Sequence, residues 1–356
     1  MRLPPEWGID KLWAMVRPFD LRDLALIHRL DDRRVPLHTM SALAENFRPL
    51  RGAIISMLVG GEFLTYVWKT ENSDRVGYIQ LRIPNGANQA YVNFISPGCK
   101  SDCEDYNSSG INPSGDLALQ NPDCAIWLDL LDEAVAGVGQ RGIHHVIAEV
   151  DERIPEIQML LRRAGFAAYT RQDVWTVSAV NYRPQGMTGH LLSRRGPADE
   201  WDIQLLYANT VPRLVQLVEP LPSANDSEGW VVRDGNELAA FISVRHGAVA
   251  TWTRLFIHPD AEMEADKIVS AAMDISFNGK QERVYCCVRR YESWLTAALE
   301  KRGFTVYGSQ AVMVRHTVHH VSRAMPEAAI SLEGQRVSTS SPFVRNFHQP
   351  ERNGKQ

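Results

Sequence analysis

The chain has 356 residues, 44% of them hydrophobic and 22% charged, which excludes a disordered, collagen-like or coiled-coil protein and suits two domains with cores of their own. Its 38 basic and 42 acidic side chains leave a formal charge of -4, so no global positive field exists to hold nucleic acid or an anionic membrane. Met1 to Asp10 carries prolines and acids where a secretory signal needs a basic start and an apolar run. The uncharged stretch Gly52 to Gly61 falls well short of the ~20 residues that cross a bilayer. Five cysteines, an odd count, fit a reducing compartment, and a soluble cytoplasmic protein is expected.

In chain order, Pro18-x-Asp20-x-x-Asp23-Leu24 opens the first ordered region, with Asp20 as a helix cap. Residues 62–69, 75–83 and 89–95 are rich in β-branched and aromatic side chains and predict strands. Residues 98–122 hold Gly, Pro, Asn, Ser and Asp without a sustained period and predict an inserted loop before a helix over 123–138. Residues 143–177 follow as strand, helix and strand. Ile157, Leu160, Leu161 and Ala164 fall on one helical face, Pro155 suits the first turn, and Gly165 ends the helix.

The order then repeats. A linker over 180–190 leads to Pro197-x-Asp199-x-x-Asp202-Ile203, with Asp199 as the matching cap, then to strands over 229–233, 237–246 and 249–257 and a helix over 265–277. Residues 281–315 lie on 143–177 at an offset of 138: Leu161 meets Leu299, Gly165-Phe166 meets Gly303-Phe304, and Tyr169 meets Tyr307. The amino-terminal anchors differ by 179, so the first copy holds 179 − 138 = 41 more residues, part of them in 98–122. The expected domains are therefore 1–180 and 181–320, each with its own complete set of elements. A Ser, Pro, Arg and Glu-rich tail over 321–356 is expected to be disordered.

This order, with its two strand exits Phe94-Ile95-Ser96-Pro97 and Phe256-Ile257-His258-Pro259 and its two helix ends at Gly-Phe, resembles the GCN5-related N-acetyltransferase (GNAT) superfamily, twice in tandem. The resemblance covers about 15–178 and 189–317. It implies an α/β fold in which each copy is a mixed, mostly antiparallel sheet flanked by helices. It also implies acetyl-CoA as donor and a small-molecule or peptide amine as acceptor. The pantetheine arm would pair like an added strand with backbone at Phe94 and Ile95, or at Phe256 and Ile257. Neither copy has the family's Q/R-x-x-G-x-G/A pyrophosphate loop. After Pro259 stand Asp260, Glu262, Glu264 and Asp266, whose charges oppose a phosphate, so the first copy is the one expected to bind acyl-CoA. Where the family often places a tyrosine as acid for the leaving thiolate, this chain has Leu161 and Leu299.

Amine acylation needs a route for the amine proton and a group polarising the thioester oxygen. On the strands that could supply them, Tyr91 and Glu149 are the candidates in the first copy, and His258, at the strand exit, in the second. Each also has a plain role, a strand tyrosine or a solvated strand end. Cys99-x-x-x-Cys103 with Cys124 is the only metal-like cluster, and its spacing lacks the paired short knuckles of structural zinc, so no metal is expected. The alternative function is a non-catalytic tandem fold that binds a ligand or protein in the same cleft.

Overall fold

The computed structural model describes residues 14–59, 61–70, 75–98, 122–182, 191–222, 224, 227–277 and 281–317. The first half contains β1 (Ala14–Pro18), α1 (Leu24–Leu30), β2 (Val35–Pro36), α2 (Thr39–Leu43), α3 (Pro49–Val59), β3 (Phe63–Thr70), β4 (Val76–Arg82) and β5 (Gln89–Ser96). It continues with α4 (Pro122–Gly139), β6 (His145–Asp151), α5 (Pro155–Arg163) and β7 (Ala167–Ser178). The second half contains β8 (Ser193–Arg194), α6 (Glu200–Thr210), α7 (Arg213–Val218), β9 (Glu228–Asp234), β10 (Glu237–His246), β11 (Thr251–Ile257), α8 (Ala265–Ser276), β12 (Arg283–Arg289), α9 (Thr296–Lys301) and β13 (Thr305–His316). The insertion beyond Gly98, with Cys99 and Cys103, most of the linker, and the tail lie outside the described residues. None of the described helices is long and apolar enough to cross a membrane.

Local chemistry accounts for the element ends. Asp20 accepts the Arg22 amide at 3.1 Å while the Asp23 carboxylate accepts the Asp20 amide at 2.9 Å, a reciprocal cap. Asp199 does not cap α6 with its side chain. It stands at the N-cap position of α6 but accepts the Gly196 amide at 2.8 Å, which closes the turn before the helix. Gly165 and Gly303 have φ of 81° and 87°, and the Phe166 and Phe304 amides reach back to the Leu161 and Leu299 carbonyls at 2.9 and 3.2 Å. Only glycine takes that left-handed position without cost, so both helices end by one device, 138 residues apart.

All the main strands form one sheet, in the order β1-β3-β4-β5-β6-β13-β7-β12-β11-β10-β9-β8, with β2 alongside β5. The order is a palindrome of the two halves with their last strands exchanged. β7 of the first half pairs with β12 of the second, and β13 of the second with β6 of the first. The registers obey the repeat: Gln172 faces Arg289, and Gln310, 138 residues after Gln172, faces Asp151, 138 before Arg289. Gln172 and Gln310 face each other across β7 and β13, and their side-chain amides bond at 2.8 Å. The internal two-fold axis therefore passes through this glutamine pair. The halves are not self-contained sheets, because each completes the other.

Helices cover both faces. On one, Trp127, Leu130 and Leu131 of α4 and Leu160 and Leu161 of α5 pack on Ile79, Val92 and Ala148, while Ile268 and Met273 of α8 and Leu299 of α9 pack on Ile242, Leu255 and Cys286. On the other, Ile27 and Leu30 of α1 meet Tyr78 and Phe94, and Ile203 and Leu206 of α6 meet Phe241 and Phe256. Fully burying a Leu, Ile or Phe contributes about 1.5–3 kcal/mol, so these stripes dominate stability. Between the two helix groups of this second face, Met40 and Leu43 of α2 pack on Val174, Trp252 and Cys287 and Val218 of α7 packs on Ile147 and Val312, and a cavity remains between them beside Gln172.

Candidate functional site

Each half contains one parallel strand pair that parts partway along. β5 and β6 pair only from Gln89–His145 to Tyr91–Ile147, and β11 and β12 only from Thr251–Val284 to Arg254–Cys287. Beyond these points each pair splays into a V.

The first V is filled by the chain itself. Register shifts on β5 between Val92 and Phe94, so that Asn93 bulges out of the β4 ladder. Val35 and Pro36 then pair with Ile95 and Phe94. The Leu37 amide donates to the Asn93 carbonyl at 3.0 Å, and the Leu37 carbonyl accepts the Glu149 amide of β6 at 2.8 Å. The backbone at Phe94 and Ile95, expected to be open to a donor, is therefore already paired on both sides. To pair there in the first half, a pantetheine arm would have to displace the Val35–Leu37 segment.

The second V has no such bridge. Among the described residues no backbone segment pairs with β11 or β12 across it beyond Arg254 and Cys287. Phe256 turns its ring into the α6 face and Ile257 into the α8 face, which leaves their backbone at the V edge. Polar side chains gather here. Arg289 Nη2 donates to both Glu219 oxygens, at 2.5 and 2.6 Å, Arg254 Nη1 reaches Glu219 at 3.4 Å, and the Tyr169 hydroxyl donates to the same carboxylate. Burial pushes Glu219 up, but the two guanidinium groups outweigh it and hold the carboxyl below its ordinary range. Glu292, in the turn after β12, behaves oppositely. Its burial prevails over the attraction of Arg254 and Arg289 and raises it to about 7.

Four buried atoms around this V find no hydrogen-bond partner among the described residues: Nε and Nη1 of Arg289, the Tyr291 hydroxyl and Oε1 of Glu292. Each unpaired buried polar group costs about 1–3 kcal/mol, so a ligand or water that bonded them would be stabilised at this V. Sequence reasoning missed Arg289, Tyr291 and Glu292. Their only signal was a run of polar residues directly after a buried strand.

The cavity over the middle of the sheet has a volume of about 330 Å³ and is lined from both halves, by His38, Tyr91 and Glu149 on one side and Glu219, Arg254 and Arg289 on the other. Of the residues singled out from sequence, Tyr91 and Glu149 meet in it. Tyr91 stacks on His38 with ring centroids 4.5 Å apart, and burial pushes its hydroxyl up to about 12. Glu149 accepts the Thr39 amide at 2.7 Å, which anchors the segment filling the first V. His38 is buried, which lowers its basicity, and its Nδ1 lies 2.8 Å from Ser41 Oγ. Cys287 stands where the repeat places Glu149, and burial raises its thiol to about 11, which makes it a poor nucleophile. His258 is not part of the cavity lining. Its Nδ1 accepts the Asp260 amide at 3.3 Å at the part-exposed end of β11. Leu161 and Leu299 are fully buried in their cores, so neither half has a tyrosine at the family's usual position. Of the four acids after Pro259, Glu264 and Asp266 are matched by Lys267 and Lys301 at 3.3 and 2.8 Å, so the opposition to a phosphate is smaller than the sequence implies. Among the described residues no group of three His, Cys, Asp or Glu is arranged to hold a metal.

No protein-family model matches the sequence, and no curated protein matches it. Solved structures do match. A GCN5-related N-acetyltransferase from Sphaerobacter thermophilus superposes with a TM-score of 0.52 at 12% identity, over 85% of this chain and 96% of that one. The GCN5-related glucosamine N-acetyltransferase region of a fungal multi-domain GH3 β-N-acetylglucosaminidase superposes with a TM-score of 0.51 at 11% identity, over 85% of this chain and 38% of that one. A match over that share of the chain spans both halves. With the repeated element order, the paired splayed strands and the internal two-fold axis, the chain carries the GCN5-related N-acetyltransferase fold twice in tandem.

Proposed function

We propose that the protein is an acyltransferase working at the second V, moving an acetyl group from acetyl-CoA to an amine. The observation that supports this reading is the coincidence of an unbridged strand edge on β11 with four unpartnered buried polar atoms on Arg289, Tyr291 and Glu292. The pantetheine arm would add as a strand beside Phe256 and Ile257, which brings the thioester to the apex of the V.

Glu292, raised to about 7, is suited to act as base at neutral pH, where it exists in both protonation states. The amine nitrogen attacks the thioester carbon, the C–N bond forms and the C–S bond breaks. The ammonium form first loses one proton to solvent, and Glu292 takes the second proton, which the nitrogen loses on forming the amide. The Tyr291 hydroxyl, raised by burial, gives its proton to the departing thiolate and regains one from Glu292, so protons balance over the cycle.

Thiol release from acetyl-CoA, measured across a panel of amines, tests this. kcat/KM should rise through a pH near 7 and level off above it. Glu292→Gln should lower kcat by about 100-fold or more and abolish that limb. Release that is unchanged in the variant, or absent with every amine, would sink the reading.

A further inference from the structure

We infer that the central cavity recognises a small amine bearing a carboxylate, and that Arg254 and Arg289 hold that carboxylate. The inference deepens the reading above and rests on it for the amine. Its support is separate. Arg289 is 4% exposed, lines the cavity, and leaves Nε and Nη1 unpartnered among the described residues. Arg254, with its side chain 21% exposed, reaches the same cavity and touches Glu219 only at 3.4 Å among the described residues.

The charge balance locates the demand. The cavity also holds Arg82 and Arg245, but both turn to Glu45, at 2.9 Å each, and Arg82 also meets Glu62 at 3.4 Å, so these two guanidinium groups face two carboxylates. Arg254 and Arg289 share the carboxylate of Glu219; the other acid that feels both is Glu292, and with Glu292 protonated one positive charge remains in excess between them. A guanidinium deprived of water keeps its full charge and its unpaired N–H donors, and an ionised carboxylate is the acceptor that answers both. A neutral ligand would leave the excess charge buried and the donors unpaired. On the opposite wall Tyr91, stacked on His38, offers an aromatic face to the carbon skeleton. A volume of about 330 Å³ suits a small molecule, at the lower end of ligand sites.

Binding to the full-length protein, measured by calorimetry without acyl donor, tests this with glycine, 4-aminobutyrate and 6-aminohexanoate against their carboxamides. At least one amino acid should bind, about tenfold or more tighter than its amide. Arg254→Gln should remove that preference, and Arg289→Lys should weaken it by keeping charge while losing the Nε and Nη1 donors. Because Arg254 is partly exposed, a matched melting temperature identifies a folded variant. Equal affinity for acid and amide, no binding by any of the acids, or a preference undiminished in a folded Arg254→Gln protein would overturn the inference. Selective carboxylate binding without any thiol release from acetyl-CoA would leave it standing and overturn the transfer reading instead.

Discussion

Glu292 couples the proposed chemistry to stability. Its folded value near 7 lies above the ordinary 4.5, so between those two values the native state keeps a proton that the unfolded chain gives up. Stability from this group is therefore fully present below about 4.5 and is lost as pH rises through 7. A displacement of that size corresponds to about 3 kcal/mol. Glu292→Gln, which cannot ionise, should escape the loss. Between pH 5 and pH 8 the stability difference should move by about 2.5 kcal/mol in the variant's favour, read from denaturant midpoints. A constant difference would mean that Glu292 ionises in the folded protein as easily as in water. The residue was not legible in the sequence. Burial, not a neighbour in the chain, sets its chemistry, and that burial depends on a V whose walls come from β11 and β12. Tyr91 and Glu149 were legible because a polar residue on an otherwise apolar strand stands out, but the same signal says nothing about which side chain fills which space.

At the scale of elements, the two Vs have parted roles. Val35–Pro36 is only two residues long as a strand, yet it ties β5 to β6 through the Leu37 backbone, and the Thr39 amide fastens the next turn to Glu149. Donor binding to the full-length protein should accordingly show one equivalent of acetyl-CoA per chain by calorimetry. Two equivalents would mean that the Val35–Thr39 segment gives way to ligand. A two-residue strand with no period leaves no trace in a sequence pattern, and the acids after Pro259 made the first half look like the better binder. The acidic turn after Pro259 was legible as composition. The lysines that offset half of it come from α8 and α9, and only the fold sets Lys301 beside Asp266. The helix ends at Gly165 and Gly303, by contrast, depend on a residue that tolerates positive φ, which is a strictly local requirement and so could be read directly.

The whole molecule is organised by exchange. An offset of 138 residues revealed that there are two copies, but not which copy's last strand lies beside which β6 or β12, since symmetry-related strands offer the same edge and the same pattern. Separate expression of 1–182 and 191–317 should give chains that lack cooperative unfolding, and mixing them should restore it, followed by near-ultraviolet circular dichroism. Two independently folded halves would contradict the β6–β13 and β7–β12 ladders. The exchange also has a temporal side. β13 lies between β6 and β7 in the sheet but is made last, about 130 residues after β7. While a ribosome is still extending the chain, the earlier strands therefore stand with unpaired edges, available to other nascent chains. The gap in the sheet closes only when residues near 316 emerge, so a ribosome stalled late in synthesis would release a product with an open sheet, prone to aggregation and proteolysis.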